Sequence, residues 1–191
     1  MAHRCILCKP ALEAQKQSVM NNIPNTPNET DAIFLSRCVA LAREAFEAGD
    51  NPFGSVLVDE QHNILATARN RSHSKTIIAH PEFELAKWAL ENLDASQRRK
   101  ATMYTSGEHC PMCAGAHAFA QIGRLVFLSP AEQLTAWRKE HHAPEALLQF
   151  IPTRDILKNV QIDGPFSGAL LEEIKALQYA AIERDKRLSL Q

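Results

Sequence analysis

Two short stretches decide the fold of this 191-residue chain: His80-Pro81-Glu82 and Cys110-Pro111-Met112-Cys113, with 27 residues between them. Each is weak alone. A histidine at a helix start is usually a cap, a C-x-x-C pair can be redox-active, and a first-turn glutamate is favoured by the helix dipole. Together they offer one imidazole, two thiolates and one carboxylate. A catalytic zinc takes three protein ligands and leaves a fourth position for water. The pattern nominates His80, Cys110 and Cys113 as ligands of one Zn2+ per chain, and Glu82 as an uncoordinated base acting on that water. Cys110 and Cys113, three apart, share a face of a first helical turn, where the helix N-terminus favours thiolates. Glu82 lies two residues after His80, and on a continuous helix the two would point apart. At a helix start the directions fan out, so both reach the metal region.

Outward from these stretches the chain alternates between helical and strand patterns. Apolar residues at threes and fours (Ile33, Phe34, Val39, Leu41, Ala42, Ala45, Phe46) predict a helix from Thr30, capped by Thr30 or Asp31 and stopped at Gly49. Phe53 to Val58 and Ile64 to Asn70 predict a hairpin across a polar loop at 59–63. A helix is expected from His80 to Leu93, with Pro81 in its first turn. Asp94 to Lys100 reads as a charged connector. Strands follow at Thr102 to Thr105 and Leu125 to Leu128, around a helix from Cys110 to about Ile122. A helix from Ala131 to Lys139, a short edge strand near 159–162 and an amphipathic helix over 167–187 complete the order. Strands alternating with helices imply a mostly parallel sheet covered on both faces, with the hairpin adding an antiparallel pair at one side. Residues 1–28 form a leader that ends in an Asn/Pro/Thr linker signal, and 29–191 form one domain. The leader carries a short helical pattern at Ala11 to Val19 and the spaced pair Cys5 and Cys8. No second C-x-x-C completes a metal set there, so they read as two exposed thiols.

Composition narrows the partners. The net charge is -1 and 45% of residues are hydrophobic, a globular balance without the basic surplus of a protein that tracks many phosphates. Nucleic acid as a partner stays open but is not favoured. No stretch is long enough to span a bilayer, and the run Cys5-Ile6-Leu7-Cys8 is too short for a secretory core. The expected location is the cytoplasm, which suits an odd cysteine count with two in metal-ligand spacing.

At these residues the chain resembles the cytidine deaminase-like superfamily, and within it the branch of bacterial guanine deaminases and tRNA adenosine deaminases. The resemblance spans residues 31–130 and, loosely, the last helix. It implies a three-layer α/β/α fold with a five-stranded mixed sheet, a homodimer, and zinc-dependent removal of an exocyclic amine as ammonia. Pro52-Phe53-Gly54 is similar to the guanine deaminases, since the tRNA enzymes tend to carry a smaller aliphatic residue where Phe53 stands. Asn70 matches an asparagine that contacts the base in relatives. Thr105-Ser106-Gly107-Glu108 resembles the loop facing the substrate. The chain departs at Pro81, where relatives usually have alanine, and at His109, where they usually have proline. Phe53, Asn70, Ser106 and His109 are therefore the expected substrate contacts.

The expected function is deamination of a purine base or related nucleobase or nucleoside, guanine first. The alternatives are conversion of adenosine to inosine in tRNA, and a non-catalytic protein stabilised by zinc. Glu84, one turn beyond His80, stands as a candidate to orient its imidazole against the plainer reading of a surface carboxylate. Phe166 reads as a core plug, and Arg184, Lys186 and Arg187 as a solvated helix end.

Overall fold

Side-chain alternation along the strands sorts the core into two halves. In the computed structural model, which describes residues 26–188, five strands form one sheet in the order β2-β1-β3-β4-β5. They are β1 (Gly54–Val58), β2 (Ile64–Arg69), β3 (Thr102–Gly107), β4 (Arg124–Ser129) and β5 (Gln161–Asp163). Val56, Val58, Tyr104, Val126 and Leu128 point to one face, where they meet helices α1 (Glu29–Glu47) and α7 (Ala169–Leu188). Leu57, Met103, Leu125 and Phe127 point to the other, against α2 (Pro81–Asn92) and α4 (Pro111–Ala120). Residues two apart share a face and neighbours do not, so one apolar run fills two cores. Between these elements lie α3 (Ala95–Lys100), α5 (Ala131–Glu140) and α6 (Thr153–Ile156).

The sheet is mixed. β3, β4 and β5 are parallel, whereas β1 runs antiparallel to both β2 and β3. This is the five-stranded mixed sheet that the resemblance implies; its parallel and antiparallel pairings are equal in number, where the element order alone suggests a mostly parallel sheet, because the hairpin docks its first strand, not its second, against β3. Apart from residues 26–28, the leader predicted over 1–28 lies outside the described residues, with its Ala11–Val19 helix and the Cys5/Cys8 pair.

The first helix is capped by Asn28, not Thr30 or Asp31. Asn28 Oδ1 accepts from the Asp31 backbone N–H at 2.8 Å, and its Nδ2 donates to Asp31 Oδ2 at 2.8 Å. Asp31 is thereby held inward, where it takes a bidentate pair from Arg124 (2.8 and 2.9 Å) and a hydrogen bond from Tyr104 Oη (2.8 Å). Arg124 also donates to Asp163 at 2.7 Å. This buried polar cluster ties α1, β3, β4 and β5 together at the end of the sheet away from the two zinc stretches. Phe166 fills the α1/α7 core, as expected.

Two glycines permit close approach. A Cβ on Gly54 would lie 2.4 Å from the Cys38 carbonyl oxygen and 2.4 Å from Leu41 Cβ, so α1 rests directly on the start of β1. A Cβ on Gly107 would come within 3.0 Å of the Phe53 ring.

Candidate metal centre and active site

Both stretches begin helices in the same way. His80 is the N-cap of α2 and Cys110 the N-cap of α4, each in extended backbone and each followed by a proline at the first helical position. Proline fits there because its missing N–H would have had no helical partner. The alanine-to-proline departure at Pro81 therefore leaves the helix start intact. Cys113 follows at the third helical position, and α2 packs against α4.

The donor atoms converge. His80 Nδ1 lies 3.7 Å from Cys110 Sγ and 3.6 Å from Cys113 Sγ, and the three donors all fall within 4.8 Å of one another. With zinc–nitrogen and zinc–sulfur bonds of about 2.0 and 2.3 Å, a tetrahedral centre would separate nitrogen from sulfur by about 3.5 Å. The cluster is thus sized and typed for zinc. A hydrogen bond with Cys113 and the imidazole of His80 lower the Cys110 thiol to about 4, while Cys113 is pushed up by that same bond and by burial.

Glu82 is buried beside this cluster. Its Oε2 lies 3.6 Å from Cys113 Sγ, and its Oε1 accepts from Thr105 Oγ1 at 3.1 Å. Thr105 Oγ1 in turn accepts from Ser55 Oγ at 2.9 Å. Burial pushes the Glu82 carboxyl up, partly offset by the charge of His80. Ser55 is the neighbour that the sequence reading missed, and Thr105 was named there only within the stretch that resembles a substrate-facing loop. They are direct partners across the β1–β3 ladder, and strand parity places both on the α2/α4 face. A serine in the otherwise apolar β1 and a threonine in β3, both in phase with the inward Leu57 and Met103, were the available signal.

The expected substrate residues divide. The Asn70 backbone N–H donates to the Phe53 carbonyl, extending the β1–β2 ladder by one pair and setting both side chains on the α2/α4 face. Phe53 is half-buried against Gly107. Asn70 Oδ1 accepts from the Ser72 N–H at 2.8 Å, which fixes the amide and leaves Nδ2 as its side-chain donor. Ser106 has the opposite parity. Its hydroxyl accepts from Gly54 N–H at 3.1 Å on the α1 side, strapping β3 to β1.

His109, the other departure from the family pattern, lies inside the fold. Its ring is fully buried, with Nε2 3.1 Å from His117 Nδ1, and His117 Nε2 lies 3.1 Å from the Ile122 carbonyl. A carbonyl only accepts, so His117 carries its proton on Nε2 and accepts on Nδ1. His109 then donates from Nε2, and its Nδ1 is an acceptor with no partner among the described residues. Burial, reinforced by His117, holds His109 well below the ordinary imidazole value; burial lowers His117 to about 4. The pair is neutral and braces the loop before Cys110 against the end of α4. Next to it, Glu108 accepts from the Ala131 N–H (2.9 Å) and the Thr153 N–H (2.7 Å), anchoring the starts of α5 and α6. Glu84 turns away from His80 to pair with Lys75 at 3.3 Å, the surface alternative. Arg184 is not a solvated end, because Nη1 donates to the Asp50 carbonyl at 3.1 Å.

Comparison with known proteins gives the same reading. A family model described as MafB19-like deaminase matches residues 28–160. A probable cytosine deaminase of Schizosaccharomyces pombe is 30% identical over 144 residues, which cover 73% of this chain and 86% of that protein. A tRNA-specific adenosine deaminase of Bacillus subtilis is 35% identical over 98 residues (51% of this chain, 60% of that protein), and a guanine deaminase of the same organism 39% over 89 residues (46% and 57%). The chain thus spans 60% or less of the length of these two Bacillus relatives. Among solved structures, guanine deaminase from Nitrosomonas europaea matches with a TM-score of 0.58 at 19% identity, covering 95% of this chain and 97% of that one, a likeness of fold. The chain belongs to the MafB19-like deaminase family and is a hydrolytic deaminase of the cytidine deaminase-like superfamily.

Proposed function

We propose that this deaminase is zinc-dependent and removes the exocyclic amine of a purine base, with guanine the first candidate, consuming water and releasing ammonia. The observation that carries the choice is the Phe53 ring lying over Gly107, with Asn70 beside it on the metal face of the sheet. A flat aromatic wall beside one fixed amide donor suits a planar heterocycle bearing an acceptor. The overall charge of -1 gives no surplus for a phosphate backbone.

His80, Cys110 and Cys113 would hold the zinc. When bound, it lowers the pKa of water into the neutral range and supplies the nucleophile. The remaining work falls to the chain. Glu82 takes a proton from the attacking water and delivers it to the ring nitrogen, then passes a second to the leaving amine. Thr105, itself held by Ser55, keeps the Glu82 carboxylate in one orientation by donating to Oε1. Asn70 Nδ2 and the Phe53 ring orient the base. The two helix N-termini favour the negative charge of the thiolates.

The test is ammonia release by zinc-loaded protein over guanine, adenine, cytosine, their nucleosides and a tRNA, with a Glu82→Gln control. Turnover of guanine above the others is expected. Activity confined to tRNA, falling steeply with salt, would replace this reading with the tRNA enzyme. We further propose a cytoplasmic homodimer. Helix α4 carries no charged residue, Phe119 on it is 83% exposed, and nothing lies within 4 Å of where a Gly115 Cβ would be. Light scattering should give twice the chain mass, and Phe119→Asp should give the monomer.

A further inference from the structure

The loop of residues 71–79 joins Asn70 to His80, and most of it is exposed. Its neck is closed by the Arg71 N–H donating to the Ala79 carbonyl at 3.0 Å. On its far side, one group gathers most of the bonds. Asp50, 0% exposed in the turn after α1, accepts four donors. Oδ1 takes the backbone N–H of His73 (2.9 Å) and of Ser74 (2.8 Å), while Oδ2 takes Ser74 Oγ (2.7 Å) and Arg69 Nη1 (3.0 Å). His73 Nδ1 adds a contact of 3.0 Å to the Gly49 carbonyl, and Asn51 Nδ2 donates to Ser72 Oγ at 3.0 Å. The turn that carries Asp50 is itself pinned from α7. Arg184 donates to the Phe46 and Asp50 carbonyls, and Gln178 donates to the Pro52 carbonyl at 3.0 Å.

We propose that Asp50 is a positioning residue that sets substrate affinity: its carboxylate latches the 71–79 loop and so places Asn70 and His80 relative to each other. A carboxylate is the group suited to this task. It accepts at every lone pair and donates nowhere, so it gathers two backbone N–H groups, a hydroxyl and a guanidinium at one point. No other residue type of that size does so. The roles of Asn70 and His80 rest on the function proposed above; the latch does not.

The experiment uses the full zinc-loaded chain with Asp50→Ala, Asp50→Asn and Ser74→Ala. Three quantities are measured: amide hydrogen exchange over 71–79, bound zinc, and the KM and kcat for guanine from ammonia release. In Asp50→Ala, exchange at His73 and Ser74 should quicken by about tenfold or more, and KM should rise by about tenfold or more, because displacing a positioned contact costs on that scale. The kcat should stay within about threefold, since Glu82 and Thr105 sit on other elements, and zinc should stay at one per chain. Asp50→Asn keeps an acceptor for both backbone N–H groups and should fall between Asp50→Ala and wild type; it also serves if the alanine variant does not fold. Ser74→Ala removes one of four bonds and should leave KM within about threefold. A residue that merely stabilises the fold would lower Tm while leaving KM and loop exchange at their wild-type values below melting, and that result overturns the proposal. If wild-type protein turns over none of the bases, the functional reading fails separately. Unchanged exchange at His73 and Ser74 would then still reject the latch.

Discussion

Replacing Glu82 by glutamine separates chemistry from structure at this site. Glu82 Oε1 accepts from Thr105 at 3.1 Å, and the glutamine carbonyl oxygen can occupy the same point. The shape and that hydrogen bond survive, while the capacity to take up and release a proton is lost. Positioned proton transfer contributes about 10²- to 10⁴-fold. In the proposed mechanism one carboxylate serves both the attacking water and the departing amine, so a loss near 10⁴-fold is expected, about 5 kcal/mol of barrier. Zinc content measured by mass spectrometry should stay at one per chain, because Glu82 is outside the donor set of His80, Cys110 and Cys113. Tm should stay within a few degrees of wild type. Thr105→Val, which frees the carboxylate to rotate, should cost about tenfold in kcat, and Ser55→Ala, one bond further away, less. The assay is ammonia release at saturating base, with each variant normalised to bound zinc. Residual activity within tenfold of wild type at equal zinc would refute Glu82 as the proton carrier. A parallel loss of zinc and activity would make it a ligand instead.

Three further outcomes test the scaffold. Arg124→Leu strands the buried Asp31 carboxylate and breaks the link to Asp163; a loss of about 3–5 kcal/mol is expected, lowering Tm by roughly 10 °C or more, and the Asp31→Leu/Arg124→Leu double variant should recover part of it in thermal melts. His117→Leu leaves the His109 Nε2–H and the Ile122 carbonyl without partners; at about 1–3 kcal/mol for each buried orphan, chemical denaturation should show a loss of about 2–6 kcal/mol, whereas exposed His142→Leu should be neutral. The Asp31 and Asp50 carboxyls are both held below the ordinary range: burial opposes this, but hydrogen bonds from Arg124 and Tyr104 win at Asp31, and those from Ser74 and His73 at Asp50. Their stabilisation is complete above the unfolded carboxylate pKa of about 4 and is lost as pH falls through the lower folded value, so Tm should drop steeply below about pH 4 and Asp31→Asn should flatten that slope.

The donor set was legible in the sequence because zinc dictates residue types and short spacings, and His80, Cys110 and Cys113 could be named without knowing how the sheet is ordered. Fold class was legible for a similar reason, since strand and helix periods differ. What the sequence hid were relations of parity and reach. Ser106 and Thr105 are neighbours in one strand, yet one residue of offset sends Thr105 to Glu82 and Ser106 to Gly54 on the opposite face. Helix α3 has six residues and no apolar stripe, so periodicity missed it; its Asp94/Gln97 capping box was the sign to use. Asp50 stands in an Asp-Asn-Pro turn sequence, and nothing local shows that a carboxylate there will gather the amides of another loop 23 residues later.

His109 shows how a departure from the family pattern should be weighed. Beside a metal ligand, an unusual histidine invites a catalytic role. Its ring instead meets a second buried imidazole, and the Ile122 carbonyl fixes both tautomers. A fully buried His109 without His117 would orphan its Nε2–H, and His117 without His109 would lose its donor, so each residue is intelligible only with the other. The pair joins the residue before Cys110 to the end of α4, while Glu108, one position earlier, holds the starts of α5 and α6. Three consecutive residues therefore bind three separate parts of the fold: Glu108 the following helices, His109 the end of its own helix, and Cys110 the metal cluster. In the proposed mechanism, substrate choice falls to the other rim of the site, where Phe53 and Asn70 stand at the strand ends and Asp50 accepts hydrogen bonds from the loop between Asn70 and His80.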